Sequence, residues 1–391
     1  MPDGSPQDEL PLAGVRVLDF SQFLAGPVCA LRLADLGADV VKIERAGQGD
    51  LCRSLVVADQ RVGPDSLLFH AINRGKRSVA VDLKTPADLA AVKHLIGEAD
   101  VMIHNFRPGV MERIGLGYEE VAALNPRIVY ACVSGYGKTG SWRDKPGQDL
   151  LAQSRSGLVW LTGSDGDGPM PVGVSITDIA AGMHLAQGVL AALYKQARTR
   201  RGSLVEVSLL ASAMDLQFEQ FTSYLNAPRA QPRRARVGGA NVNTGAPYGI
   251  YATSDGHLAI AMTPIAKLAE RLDLSALAPY ADPARAFVDR EPINAILRAA
   301  LATEPTAHWL AKLEPADIWC AEVLDWPALE RTGALAELGV VQSVVTAAGE
   351  RLETTTCPIR IDGRVLKNAK AAPPLGADTA AVFAAANGER P

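Results

Sequence analysis

The reading of this chain turns on Val15–Glu44, which runs VRVLDF, SQFLAGP, VCALRLADL, GA, DVVKIE. Val15–Phe20 is short, mostly apolar and β-branched, and reads as a buried strand. Ser21–Pro27 carries Gly-Pro punctuation and reads as a loop. Val28–Leu36 has helical spacing, with Leu31, Leu33, Ala34 and Leu36 apolar and Arg32 and Asp35 polar. Gly37 suits its C-terminus. Asp39–Glu44 is the next strand. Strand, helix, strand predicts a crossover connection and a parallel sheet.

The alternation continues outward. Ser78–Leu83 reads as a strand, Pro86–Gly97 as a helix behind the capping residue Thr85, and Asp100–His104 as a strand. Tyr118–Leu124 is helical and Arg127–Val133 a strand, giving an α/β domain over about the first 150 residues. Ile176–Arg198 predicts a long helix, Leu204–Val207 a strand and Ser208–Tyr224 a helix. Asn226–Arg236, with two prolines and four arginines, reads as a linker. A second α+β segment follows. Gly249–Thr253 and His257–Met262 form a hairpin, and helices are expected at Pro264–Leu272, Pro292–Ala302 and Thr306–Leu313. After Pro327 the pattern changes again.

A chain of 391 residues, 48% hydrophobic and 21% charged, exceeds one ordinary domain and can bury large cores. A net charge of -4 argues against nucleic acid as the main partner. Cys29, Cys52, Cys132, Cys320 and Cys357 are scattered, without metal spacing, and read as reduced thiols. Met1–Leu10 lacks a basic and apolar leader, and the apolar runs are broken well short of the ~20 residues a membrane span needs. The expectation is a soluble, cytoplasmic enzyme. The loop SQFLAGP has one glycine where a dinucleotide fingerprint needs three, so neither NAD nor flavin is expected. None of the six histidines has a metal motif around it.

Two carboxylates stand out. Asp178, in VSITDIAA, precedes the long helix; it reads as a helix N-cap, or as an oriented carboxylate whose ionised form the helix stabilises. Asp149, in Pro146-Gly147-Gln148-Asp149, has the same ambiguity. Arg45, Arg74, Lys76, Arg77, Lys84, Arg107 and Arg113 fall near predicted strand ends. Ligands of parallel sheets bind at those ends, and several cations there suggest a phosphate-bearing ligand.

Pro11–Glu44 also closely resembles the opening of the family III CoA-transferases, the group of formyl-CoA transferase and carnitine CoA-transferase. NRGKRSVAVDLKT (Asn73–Thr85), DVMIHNFRPGVMERIGL (Asp100–Leu116) and NPRIVYACVSGYG (Asn125–Gly137) carry the likeness onward. So do Asp178–Tyr194 and Pro374-Leu375-Gly376. The resemblance implies a Rossmann-like large domain, a smaller α+β domain, and a ring-shaped chain interlocked in a homodimer. Residues 1–210 would form the first part of the large domain, 211–236 a linker helix and linker, 237–326 the small domain and 327–391 the return segment.

The same resemblance implies Asp178 as nucleophile, with Thr177 where formyl-CoA transferase has Gly, and Asp149 as a second acid. A carboxylate attacks a thioester through anhydride and aspartyl-CoA intermediates, with no metal and no cofactor beyond coenzyme A as substrate. Coenzyme A contacts map onto Leu24, Ala25, Arg45, Val81, Asp82, Leu83, Lys84, Asn105, Phe106, Arg107, Arg113 and Lys145. Leu24 stands where formyl-CoA transferase has Gln, and the family's glycine loop falls at Gly238–Gly245. The expected partners are an acyl-CoA, a carboxylic acid and a second copy of the chain, with neither nucleic acid nor membrane. α-Methylacyl-CoA racemases share the fold but use a Gly-His-Asp base; here Gly147-Gln148-Asp149 puts an amide there, which is no base. Arg53, Arg74, Arg234 and Arg236 are candidates to pair a second carboxylate of a dicarboxylic acid.

Overall fold

β1 (Arg16–Asp19) and β2 (Asp39–Arg45) pair in parallel, Arg16 opposite Asp39, through the crossover helix α1 (Ala25–Asp35). This computed structural model describes residues 10–55, 57 and 59–388. Helix α1 starts at Ala25, earlier than the predicted Val28, because Pro27 in a first turn has no N–H to lose and a preset φ. A short helix, α2 (Leu67–Asn73), leads to β3 (Arg77–Val81). Helix α3 (Pro86–Glu98) is capped by the Thr85 side chain, as expected. Then come β4 (Val101–His104), α4 (Tyr118–Leu124) and β5 (Val129–Ser134).

After α5 (Asp149–Ser156) and the long α6 (Ile176–Thr199), β6 (Ser203–Ser208) closes a six-stranded sheet. Its order is β3-β2-β1-β4-β5-β6, every pair parallel. That is the doubly wound order, whose ligand crevice lies outside the strand ends where the order reverses, between β1 and β4. Side chains alternate between two cores. Val17, Ala131 and Val133 pack with α1 and α6, while Leu18, Tyr130 and Cys132 pack on the other face.

The predicted helix Ser208–Tyr224 is broken. α7 (Leu209–Asp215) ends where Leu216 and Gln217 intervene, and a separate helix spans Phe218–Asn226. Helix α6 also corrects the expectation about apolar runs. Its 24 residues are, among the described helices, long and apolar enough to cross a membrane by length and composition. Ala181, Leu185 and Val189 are buried against α1 and the sheet, so a core-facing helix passes that test. All five cysteines are free.

The chain divides into two units. The first comprises residues 1–152, 175–216 and 335–391; the second comprises 153–174 and 217–334. Residues 153–174 thus differ from the sequence division, which kept them in the large domain. The buried Arg234 guanidinium accounts for this, donating to the carbonyls of Thr162, Asp167 and Gly168. In the second unit Cys320–Glu322, His257–Ile260 and Gly249–Ala252 form an antiparallel sheet, including the predicted hairpin. Leu258 and Ile260 pack there with Leu268, Leu297 and Leu313 from the expected helices.

The last segment returns to the first unit. Asp378 and Thr379 accept the N–H groups of Ser78 and Ala80 on the edge strand β3. Gly376 has φ 69°, and a Cβ there would sit 2.9 Å from that of Ala80, so the turn in Pro374-Leu375-Gly376 requires glycine. This contact seals an edge that would otherwise expose unpaired backbone groups.

Candidate active site

The turn after β1 sits at the reversal point of the sheet, and buried charged groups hold it. Asp19 ends β1, fully buried; it accepts the Ser21 N–H at 3.0 Å and also the Ser21 hydroxyl. Lys42 Nζ donates to the Ser21 carbonyl at 2.7 Å and pairs with Asp50 at 2.8 Å. Asp50 accepts the Phe23 N–H at 3.2 Å. Lys76 Nζ bonds Asp19 at 2.9 Å, Asn73 at 2.9 Å and the Pro27 carbonyl at 3.1 Å. Burial pushes the Asp19 carboxyl up, but Lys76, Lys42 and the Ser21 hydroxyl more than offset this and hold it below its ordinary value. Asn105, after β4, clamps Gln22 through both its N–H (2.8 Å) and its carbonyl (2.7 Å). Phe23 is left at φ 62°, a left-handed backbone that costs a non-glycine residue about 1–2 kcal/mol.

Asp149 and Asp178 come together at the start of α6. Asp178 is the third residue of that helix, inside its first turn rather than at the N-cap, which is Ser175. The helix N–H groups go to Asp149 instead. Its Oδ1 accepts the Thr177 N–H at 2.7 Å, the Thr177 hydroxyl at 2.7 Å and the Asp178 N–H at 3.3 Å. Such a cap stabilises a helix by about 1 kcal/mol. Burial, and after it the charge of Asp149, push the Asp178 carboxyl up to about 7. This reverses the expectation that the helix would favour its ionised form, because Asp149 occupies the donors that would have done so.

Gly182 follows Asp178 by one turn. A Cβ there would lie 2.6 Å from the Ala25 carbonyl oxygen and 2.9 Å from Val28 Cβ. The second turn of α6 therefore abuts the first turn of α1, and among the described residues no side chain caps the N-terminus of α1. The result is a half-buried carboxylate one helical turn from the contact with α1, and a carboxylate so placed can act as a nucleophile.

The residues expected to contact coenzyme A divide by environment. Arg45 ends β2, and Lys84 and Arg107 follow β3 and β4. With Arg113 and Lys145 they are exposed and have no carboxylate partner among the described residues. Ala25 and Val81 are core residues, and Leu24 and Leu83 are spent in packing. Asp82 accepts the Lys84 N–H, and Asn105 is committed to Gln22; Phe106 stacks on His104. A cavity of about 660 Å³ opens beyond, at the ends of β4, β5 and β6, lined by His104, Phe106, Arg107, Lys138 and His184 among others. Asp178 does not line it.

Other candidate cations are corrected by the structure. Arg74 is paired with Asp35, Lys76 with Asp19, and Arg77 with Asp39. Arg53 bonds Glu44 and Asp65, and Arg234 is filled by backbone carbonyls. A buried cation must be paired, so Arg53, Arg74 and Arg234 are not available for a substrate carboxylate. The sequence reading missed the group Asp19, Lys42 and Asp50; its signal was Asp19 and Lys42, charged residues inside apolar strands. It also passed over His184, which lies 2.9 Å from Ser212 Oγ and 3.1 Å from Asp215. Among the described residues, no cluster of three or more His, Cys, Asp or Glu has the makings of a metal site.

A sequence model of CoA-transferase family III matches residues 12–379. The chain is 34% identical to the succinyl-CoA:glutarate CoA-transferase of Mus musculus over 325 residues, 81% of this chain and 73% of that one. It is 32% identical to the acetyl-CoA:oxalate CoA-transferase of Acetobacter aceti over 325 residues, 81% of each. Among solved structures, a CAIB/BAIF family protein from Brucella suis superposes with a TM-score of 0.80 at 28% identity, covering 96% of this chain and 99% of that one. Rv3272 from M. tuberculosis does so with a TM-score of 0.81 at 29% identity, covering 95% and 98%.

Proposed function

Because the chain belongs to CoA-transferase family III, we propose that it moves coenzyme A from an acyl-CoA donor to a carboxylic acid acceptor through covalent intermediates on Asp178. The observation that carries this reading is the Asp178 carboxyl, set in the first turn of α6 and raised to about 7 by burial and by Asp149. An Asp178 oxygen attacks the thioester carbonyl. The C–S bond breaks, coenzyme A leaves as thiolate and a mixed anhydride forms. The thiolate then attacks the Asp178 carbonyl, releasing the donor acid as carboxylate and leaving aspartyl-CoA. The acceptor carboxylate displaces the thiolate to give a second anhydride. Attack of the thiolate on its acyl carbonyl yields the new acyl-CoA and regenerates Asp178.

Each step develops an oxyanion, and the first turn of α1, which has no side-chain cap among the described residues, would supply N–H donors for it. Arg45, Lys84, Arg107, Arg113 and Lys145 would hold the phosphates. Glutarate and oxalate, named for two relatives, are dicarboxylic, so a dicarboxylic acceptor is the first to assay.

Trapping tests the assignment. Acyl-CoA with hydroxylamine or borohydride should mark Asp178, located by peptide mass spectrometry, and Asp178→Ala and Asp178→Asn should lose transfer. Marking at Asp149, or full activity in Asp178→Ala, would overturn it. The interlocked homodimer belongs to the same proposal and rests on the family likeness.

A further inference from the structure

The mechanism leaves one group of residues unused. Asp19, Lys42, Asp50 and Lys76 are between 0% and 2% exposed, two acids and two bases packed under the turn that joins β1 to α1. A buried ion pair adds little net stability over apolar residues of the same shape. What these four supply is geometry. Asp19 takes the Ser21 N–H, Asp50 the Phe23 N–H and Lys42 the Ser21 carbonyl. Lys76 ties the Pro27 carbonyl, in the first turn of α1, to Asp19 at the end of β1. Their charges balance, so no net charge is left under the turn. Phe23, at φ 62°, is held where an unanchored chain would relax.

We propose that Asp19, Lys42, Asp50 and Lys76 are positioning residues of the transfer reaction, fixing the Ser21–Phe23 turn and with it the N-terminus of α1 against Asp178. The link to Asp178 is the contact of Gly182 with Ala25 and Val28, one turn along the same helix. The inference rests on the CoA-transfer reading for its consequence, but the anchoring of the turn is independent of it. A shift of about 1 Å at a reacting centre lowers rates about 100-fold.

The test uses two charge-neutral pairs in the full chain, Asp19→Asn with Lys76→Met and Lys42→Met with Asp50→Asn. Neither leaves a buried charge unpaired. Amide hydrogen exchange is read at residues 21–26, and kcat and KM are measured for acyl-CoA and acid exchange. The expected result is lost protection at the turn, kcat lowered about 100-fold and KM changed less than about threefold. Unchanged kcat, or a fall in kcat with protection intact, would overturn the proposal. If one pair fails to fold, the other carries the test. Unfolding of both would overturn it, since the group would then hold the fold rather than the turn. A wild-type chain that exchanges no acyl-CoA and acid pair would sink the functional reading instead, and hydrogen exchange would still decide whether the four residues anchor the turn.

Discussion

The Asp178 carboxyl, the proposed nucleophile, is held at a cost in stability. Its folded value of about 7 lies above the ordinary 3.8. Between those two values the folded state keeps a proton that the unfolded chain releases, so stability contributed by this group falls as pH rises across that window. Asp178→Asn should therefore raise the melting temperature relative to wild type at pH 8 and not at pH 4, as differential scanning fluorimetry would show. In the proposed mechanism the activity runs the other way, since attack needs the ionised form. The acid limb of kcat/KM should lie near pH 7. Asp149→Asn removes the neighbouring charge but can still accept the helix N–H groups. That limb should move to lower pH, yet stay above the ordinary carboxylate range because burial, the larger cause, is unchanged. A limb that does not move would separate Asp149 from the ionisation of Asp178.

At the scale of elements, the close approach of α1 and α6 lies one helical turn from Asp178. Gly182→Ala places a methyl 2.6 Å from the Ala25 carbonyl, a backbone atom that cannot swing aside. Overpacking of this kind costs about 1–3 kcal/mol. Thermal melts should show that loss, and the exchange assay a fall in kcat larger than the folded fraction explains. Wild-type kcat in a destabilised Gly182→Ala protein would show that the helix contact does not set the position of Asp178. The elements themselves were mostly legible. VRVLDF and DVVKIE gave β1 and β2, and Thr85 its cap, because local pattern and capping chemistry decide them. The break after Asp215 was not, since α7 and the helix that follows it carry one continuous helical pattern.

For the whole molecule, the return of the last segment is the long-range feature. Asp378 and Thr379 satisfy backbone groups of β3 across a sequence separation of about 300 residues, and no local pattern announces such a contact. The proposed homodimer is the other expectation at this scale, and it rests on the family likeness. The proposed homodimer should sediment at twice the 41.3 kDa chain mass at micromolar concentration. A stable single-chain mass there would contradict it.

The sequence by itself determined the parallel α/β architecture of the first unit and the hairpin of the second, and it nominated the two aspartates. Those follow from periodicity, turn residues and a family likeness carried by contiguous motifs. Only the tertiary structure decided what the charged residues do. Arg53, Arg74 and Lys76 look the same in a sequence as Arg45, Lys84 and Arg107. Burial then paired the first three with carboxylates and left the others exposed, without acidic partners among the described residues. The same holds for Asp149 and Asp178. Which of two acids caps the helix, and which is pushed toward protonation, depends on chain segments brought together from about 30 residues apart. Desolvation and through-space charge act on the folded neighbourhood, which the order of residues along the chain does not contain.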